Sequence, residues 1–286
     1  MKTLLRPLAL IVGLGLIACA HAQDKNFYVF LCLGQSNMEG FPGIPTEDKT
    51  GVDPRFQVLA AVDFPLLNRT KGNWYTAVPP LCRPNSGLSP SDYFGRTLAA
   101  RLPAEIKVGV VNVSVAGAKI ELFNETSREE YATTAPSWMK GIIATYQGNP
   151  YQYLVEMGKM AQKSGVIKGI LLHQGESNTN DAEWPTKVKA VYENLLRDLD
   201  LKAEDVPLLA GELVAADQKG ASASMNQIID RLPETIATAH VVPSQGCIAR
   251  PDHLHFTPEG YRELGRRFAD AMFPLLNPNR PIPNNQ

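Results

Sequence analysis

Short, continuously apolar runs alternate along the chain with longer stretches in which apolar residues recur every three or four positions. The runs are typical of strands buried on both faces of a sheet, and they cover residues 27–33, 106–113, 166–172, 206–213 and 240–244. The periodic stretches predict helices over residues 92–102, 152–164, 183–201 and 222–239. A last helix is predicted to begin at Thr257-Pro258-Glu259, because proline is favoured at the first helical position, and to run through Met272.

This order of elements predicts an α/β fold with a mainly parallel, five-stranded sheet covered by helices on both faces. Two connections, residues 41–90 and 119–150, are too long for simple loops, and loops of that length are usually functional. Both are rich in Pro, Asn, Trp and Tyr, which suits a cleft that binds sugar. Because ligands bind beyond the carboxyl ends of the strands in such sheets, the residues that follow each strand are the functional candidates.

The first 22 residues have the pattern of a secretory signal. Lys2 and Arg6 give a positive start, residues 8–18 are almost wholly apolar, and Ala20-His21-Ala22 is a small-x-small cleavage site. The apolar run is too short to cross a bilayer. We therefore expect a secreted or periplasmic protein whose single mature domain covers residues 23–286. A lipoprotein anchored through Cys19, which ends a Leu-Ile-Ala-Cys box, is the alternative.

Composition and charge narrow the class of protein further. Hydrophobic residues make up 44% of the 286 residues and charged residues 20%, which is ordinary for a globular domain and excludes general disorder. The 28 Lys and Arg residues nearly balance the 29 Asp and Glu residues, so nothing indicates a nucleic-acid partner. No two cysteines have metal-ligand spacing, and no metal or cofactor is expected. Cys32 lies in a strand, whereas Cys82 and Cys247 lie in Pro-rich loops and are predicted to form a disulfide.

Chemistry-bearing residues follow the predicted strands and precede the last helix. Ser36 comes directly after the first strand, where a nucleophile would be exposed, although such a serine often only caps a helix. A serine hydroxyl needs a histidine base, and the base needs a carboxylate that holds its tautomer. Asp252 and His255 lie three residues apart and supply both groups from one loop. His253 is the competing base, but its spacing from Asp252 is less favourable.

Two further segments carry groups that suit a developing oxyanion. Gly117 follows the second strand, where a small residue lets a backbone N–H approach negative charge. Gln174 and Glu176 follow the third strand, and polar side chains crowded at the end of an apolar strand need partners or a cleft. Gln174 is a candidate oxyanion donor, and Glu176 a candidate acceptor from histidine or arginine.

Together these segments resemble the SGNH hydrolase superfamily. The closer similarity is to the branch that contains acetylxylan esterases of carbohydrate esterase family 6 and sialic-acid-specific O-acetylesterases. Residues 34–38, Gly-Gln-Ser-Asn-Met, resemble the nucleophile block, and residues 174–178 and 252–256 resemble the third and the base blocks. The loop of residues 79–88 resembles the acetylxylan esterases of this branch. The resemblance covers nearly the whole mature chain and implies a three-layer α/β/α sandwich of flavodoxin-like type.

The resemblance also implies roles for individual residues. Ser36 would be the nucleophile, His255 the general base and acid, and Asp252 its partner, with Glu176 as an alternative or additional acid. The backbone N–H groups of Ser36 and Gly117 and the side chain of Gln174 would form the oxyanion hole. Residues 116–118 correspond to the family's second block, which usually reads Gly-Gly-Thr/Ser; here they read Ala-Gly-Ala. The third block ends in Asn178, where the family often has Asp.

The function expected on this basis is a secreted serine carbohydrate esterase, a carboxylic ester hydrolase. Its substrate would be acetylated plant polysaccharide, acetylxylan above all, and its intermediate an acetyl-enzyme; O-acetylated sialic acid is the alternative substrate. Two other classes stay open: a lipase or thioesterase with the same triad, and a non-catalytic carbohydrate-binding protein on an esterase fold. The intact Ser36, Asp252 and His255 favour an enzyme.

Overall fold

A computed structural model describes residues 23–276 of the chain. Its strands are β1 Asp24–Gly34, β2 Phe56–Leu59, β3 Trp74–Thr76, β4 Lys107–Ser114, β5 Gly165–His173, β6 Leu208–Gly211 and β7 Ala239–Val242. Its α-helices are α1 Ser36–Glu39, α2 Pro90–Arg101, α3 Arg128–Thr134, α4 Ser137–Thr145, α5 Pro150–Gln162, α6 Trp184–Asp198, α7 Asn226–Ile229, α8 Leu232–Thr235 and α9 Pro258–Leu276.

The seven strands form one sheet with β1 at its centre. Their order is β3-β2-β4-β1-β5-β6-β7, and neighbouring strands are parallel except for β2 and β3. The chain moves from β1 to β2–β4 on one side, then crosses to β5–β7 on the other. The topological switch point therefore lies beside β1, and a ligand is expected at the carboxyl ends of β1 and its neighbours.

Helices cover both faces of the sheet, as the alternating side chains of β1 require. Val29, Leu31 and Leu33 point into the core on the side of α5 and α6. Phe30 and Cys32 point into the opposite core, on the side of α2 and α9. The predicted α/β fold with helices on both faces is confirmed.

The sheet has seven strands, two more than the five predicted. The extra strands, β2 and β3, lie inside the long region of residues 41–90, and their lengths of four and three residues are too short to give a recognisable pattern. The second long region, residues 119–150, contains α3 and α4.

The helix predicted over residues 222–239 is wrong. This part of the chain forms a 3₁₀ turn, Ala223–Met225, followed by the short helices α7 and α8. Pro233 lies in the first turn of α8, where its missing N–H costs nothing, whereas inside a continuous helix it would remove a hydrogen bond. In addition, the amide of Asn226 bonds the backbone N–H and carbonyl of Leu213 and so ties this segment to the end of β6.

The predicted disulfide between Cys82 and Cys247 is not formed. Both residues are free thiols, and both are fully buried. Cys82 belongs to the core on the α5 and α6 side of the sheet, whereas Cys247 belongs to the core on the α2 and α9 side. The Pro-rich sequence around them indicated exposed loops, but both side chains fold inward, on opposite faces of the sheet.

The proposed signal at residues 1–22, including Cys19, lies outside the described residues. Within residues 23–276, no helix combines the length and the apolar composition that a membrane span needs.

Candidate active site

Ser36 is the first residue of α1 and lies just beyond the carboxyl end of β1. The turn into it depends on Gly34, because a Cβ at that position would lie 2.1 Å from the carbonyl oxygen of His173 on β5. The backbone N–H of Gln35 donates to that same carbonyl oxygen, at 3.1 Å. Glycine therefore lets β1 remain against β5 while the chain turns sharply and presents the serine at the edge of the sheet.

The structure brings Ser36 together with the two residues predicted to act with it. Nε2 of His255 lies 2.8 Å from Oγ of Ser36, and Nδ1 of His255 lies 2.9 Å from Oδ2 of Asp252. The three side chains thus form one continuous hydrogen-bonded chain. His255 is held in the loop just before α9, and its imidazole also packs against the ring of Phe41, with 4.6 Å between ring centroids.

The hydrogen bonds of this chain fix the tautomer of the histidine. An ionised carboxylate only accepts, so the Nδ1–H of His255 donates to Asp252, and Nε2 is left to accept from the hydroxyl of Ser36. Partial burial raises the pKa of Asp252, but donation from the backbone N–H groups of His255 and Leu254 and from the imidazole outweighs it, so this pKa lies below its usual value. Asp252 is therefore ionised at neutral pH and oriented toward the imidazole.

His253, the competing base, points elsewhere. Its backbone is in the left-handed region, with φ of 55°. Its Nδ1 lies 3.1 Å from the carbonyl oxygen of Gln218, and its own carbonyl accepts from Ala221. The structure thus gives His253 contacts with the 216–221 loop and leaves His255 with the serine.

Two backbone N–H groups beside the serine are suited to an oxyanion. Ser36 is the first residue of α1, and the first N–H groups of a helix have no partner inside it. Gly117 lies three residues beyond β4 with φ of 69°, and its carbonyl accepts from the hydroxyl of Ser177. Among the hydrogen bonds of residues 23–276, none uses the N–H of Ser36 or of Gly117. Both groups remain available to a ligand.

The side chain of Gln174 does not fit its predicted role as an oxyanion donor. It is 1% exposed, and its Nε2 lies within hydrogen-bonding distance of Asn178 Oδ1 (2.7 Å), Gln35 Oε1 (3.1 Å) and the carbonyl of Ala118 (3.2 Å). Its Oε1 accepts from the indole N–H of Trp184 at 2.5 Å. Both amide hydrogens are therefore used inside the protein, and Gln174 holds the ends of β1, β4 and β5 together.

Glu176 does not contact His255 and so does not act as its direct acid partner. Its Oε1 accepts from the amide of Asn37 at 2.6 Å, and Nδ1 of His173 lies 3.8 Å away, beyond hydrogen-bonding distance. Burial raises the pKa of Glu176 to about 7 and lowers the pKa of His173 to about 4. Asp252 alone occupies the position beside the imidazole.

The sequence did not reveal the residues that hold the serine helix in place. Glu39, three residues after Ser36, is buried and accepts from Arg83 at 2.5 Å and from the N–H of Ala116 at 2.8 Å. Asn37 contacts both Glu176 and the loop that carries His255. Both residues stand inside or next to the nucleophile block, but their partners are 44 to 224 positions away, and no local pattern indicates such pairs.

No group of three or more His, Cys, Asp and Glu side chains within residues 23–276 is arranged to hold a metal ion.

Comparison with solved structures gives the same fold. A protein of Arabidopsis thaliana solved at 1.6 Å has a TM-score of 0.66 and 20% identity, and the match covers 87% of this chain and 98% of that one. NanS has a TM-score of 0.61 and 18% identity over 90% and 99% of the two chains. A carbohydrate acetylesterase from Xanthomonas citri has a TM-score of 0.60 and 19% identity; the match covers 86% of this chain but 56% of that one.

The sequence profile of one family matches residues 26–274, almost the whole described chain. That range includes the serine after β1, the Gln-Gly-Glu segment after β5 and the Asp-His-Leu-His loop before α9. The family is one of carbohydrate esterases, enzymes that hydrolyse carboxylic esters of sugars. The chain therefore belongs to the sialic acid-specific acetylesterase family of carbohydrate esterases.

Proposed function

We propose that this protein is a secreted serine esterase that removes O-acetyl groups from carbohydrate through an acetyl-enzyme. The observation that carries the proposal is the hydrogen-bonded chain from Ser36 through His255 to Asp252, with spacings of 2.8 and 2.9 Å. Export rests on the signal pattern of residues 1–22 in the sequence.

In the first half of the reaction, Ser36 Oγ attacks the acetyl carbonyl while Nε2 of His255 takes its proton. The N–H groups of Ser36 and Gly117 donate to the oxyanion that forms. His255 then gives the proton to the sugar oxygen as the C–O bond breaks, which leaves acetyl-Ser36 and a free hydroxyl. In the second half, His255 takes a proton from a water that attacks the acetyl carbon, and it returns this proton to Ser36 Oγ as the ester bond breaks and acetate leaves. Asp252 stabilises the imidazolium in both halves.

Acetylated plant polysaccharide, acetylxylan above all, is the substrate we propose first. The loop of residues 79–88, which is similar to acetylxylan esterases, packs directly on the serine helix. Arg83 pairs with Glu39, and the N–H of Gly87 donates to the carbonyl of Gly40 at 3.0 Å. These contacts with the serine helix support the proposal that the loop contacts a sugar whose acetyl group reaches Ser36.

O-acetylated sialic acid is the second candidate substrate, and the description of the matching family favours it. The two candidates are separated by parallel measurements of acetate release from acetylated xylan and from O-acetylated sialic acid at equal acetyl concentration. Faster release from xylan supports the first proposal, and faster release from sialic acid supports the second. A protein that binds these sugars but releases acetate no faster than buffer is a non-catalytic carbohydrate-binding protein.

The proposed chemistry needs no metal. Treatment with a chelator should therefore leave the rate of acetate release unchanged, and a loss of activity that zinc restores would contradict the serine mechanism.

A further inference from the structure

A buried asparagine lies between the nucleophile and the loop that carries the base. We propose that Asn37, held by Glu176, is a positioning residue that keeps His255 in reach of Ser36. This inference rests on the proposed function, because it assigns to Asn37 and Glu176 a part in the same reaction. Neither residue touches the reacting atoms in this scheme; both act through His255.

Asn37 uses every hydrogen-bonding position of its side chain. Its Nδ2 donates to Glu176 Oε1 at 2.6 Å and to the carbonyl of Leu254 at 3.0 Å. Its Oδ1 accepts from the hydroxyl of Tyr261 at 2.7 Å and from the N–H of Phe256 at 3.4 Å. Leu254 and Phe256 are the residues on either side of the base. One side chain therefore holds the backbone immediately before and immediately after the imidazole.

The hydrogen bonds within the loop that carries the base, such as those from Leu254 and His255 to Asp252, do not reach the serine helix. Residues 251–253 are exposed, and the side chain of Asp252 is 41% exposed. Asn37, by contrast, is fully buried and belongs to the same short helix as Ser36. A hydrogen bond from this helix to the loop fixes the base relative to the nucleophile directly. A displacement of about 1 Å between reacting groups can cost on the order of 100-fold in rate.

Glu176 supports the orientation of the Asn37 amide. The carbonyl of Leu254 only accepts and the N–H of Phe256 only donates, so the NH₂ end faces Leu254 and Glu176 Oε1, and the oxygen faces Phe256 and Tyr261. Glu176 is buried, its Oε2 has no hydrogen-bond partner within the described residues, and its Oε1 accepts from Asn37 at 2.6 Å. Burial of a polar group costs stability unless it is hydrogen-bonded, and the contact with Asn37 offsets part of that cost.

The test compares Asn37→Ala with a matched control, Asn226→Ala. Asn226 is also buried and also bridges a backbone N–H and a carbonyl, but both belong to Leu213 at the end of β6. We expect Asn37→Ala to lower kcat for an aryl acetate by about 30-fold or more with KM changed less than about threefold, since it misplaces the base. The folded fraction of Asn226→Ala should keep the wild-type kcat.

Repeating the comparison in a His255→Ala background separates positioning of the base from other effects. If Asn37 acts through His255, then Asn37→Ala should lower the residual rate by less than about threefold once the base is absent. The same large factor in both backgrounds, or no loss in the wild-type background, would overturn the proposal.

Glu176→Gln and Glu176→Ala add a conservative and a disruptive change. The glutamine keeps an oxygen that accepts from Asn37, so its kcat should stay near that of the wild type, whereas the alanine should follow Asn37→Ala. Equal losses in both would contradict a role in orienting the amide.

Hydrogen exchange makes the test independent of esterase activity. The backbone amide hydrogens of residues 254–256 should exchange faster in Asn37→Ala and in Tyr261→Phe than in the wild type. In Asn226→Ala their exchange rates should equal those of the wild type. Tyr261→Phe removes a single hydroxyl and covers the case in which Asn37→Ala does not fold. Unchanged exchange at residues 254–256 would refute the anchor, whatever the enzyme hydrolyses. Faster exchange in a protein that releases no acetate would instead refute the proposed function alone.

Discussion

Nε2 of His255 lies 2.8 Å from Oγ of Ser36, although 219 positions separate the two residues in the chain. They meet because Ser36 follows the central strand β1 and His255 stands in the loop that leads into α9, a helix packed against the same sheet. The contact joins the first strand of the fold to its last helix. Several outcomes of mutation depend on it.

His255→Ala should remove nearly all esterase activity, whereas His253→Ala should be mild. Loss of a triad base costs on the order of 1,000-fold or more in kcat. His253, two positions away, contacts the carbonyl of Gln218 instead of the serine and serves as the matched control. Steady-state hydrolysis of an aryl acetate by the two variants decides the assignment. A severe His253→Ala and a mild His255→Ala would reverse it.

Gly117→Ala should lower kcat by about 10- to 100-fold, since loss of one oxyanion donor is typically worth that much or more. Its φ of 69° disfavours any residue with a Cβ, and an added Cβ would lie 2.6 Å from the ring of Trp138, so either that ring or the backbone around the N–H must shift. Gly141→Ala, on α4, is the control, because a Cβ there meets nothing within 4 Å. If both variants kept the wild-type kcat, Gly117 would have no part in the oxyanion hole.

The residues that carry the chemistry were easier to predict from the sequence than the residues that hold them. Ser36, Asp252 and His255 stand next to long, well-patterned elements, and the rule that parallel sheets bind ligands beyond their strand ends led to the expectation that they meet, as they do. Gln174 is a candidate oxyanion donor both from its position after the third strand and from the resemblance of its block to a family motif. Its contacts with Ala118 and Asn178 depend on three-dimensional packing that no local pattern records.

The cysteines also show that a local sequence pattern does not record how a segment packs in the fold. The Pro-rich sequence around Cys82 and Cys247 indicates loops, and loops are usually exposed, but both side chains are fully buried in different cores. The burial of Cys82 depends on how the long 41–90 region folds back onto the sheet through β2 and β3, and strands of four and three residues carry too little pattern to be predicted.

Cys32, Cys82 and Cys247 should all react with a thiol reagent in denaturant without prior reduction. Burial raises the pKa of Cys82 to about 12 and that of Cys247 to about 11, so in the native protein both should be unreactive at neutral pH. Mass spectrometry after alkylation, with and without denaturant, measures both states. A Cys82–Cys247 pair that needs reductant before it alkylates would contradict the structure.

Glu176 should make the protein less stable as the pH rises. Its folded pKa of about 7 lies above the unfolded value of 4.5, so the stability it contributes is present below pH 4.5 and is lost as the pH rises through 7. Relative to Glu176→Gln, the wild type should lose about 3 kcal/mol of unfolding free energy over that range. His173, with a pKa of about 4, is largely neutral there in the folded protein. Denaturant unfolding of both proteins from pH 4.5 to 8 measures the difference, and parallel curves would refute the shifted pKa.

The most direct measurement of the central claim is acetate release from O-acetylated carbohydrate by the wild type and by Ser36→Ala, at equal concentrations of folded protein. The wild type should release acetate from acetylated xylan or O-acetylated sialic acid. Ser36→Ala should keep the fold and retain less than about a hundredth of the turnover, because loss of a triad nucleophile typically costs far more than that. Turnover above that level in Ser36→Ala would contradict the assignment of Ser36 as the nucleophile.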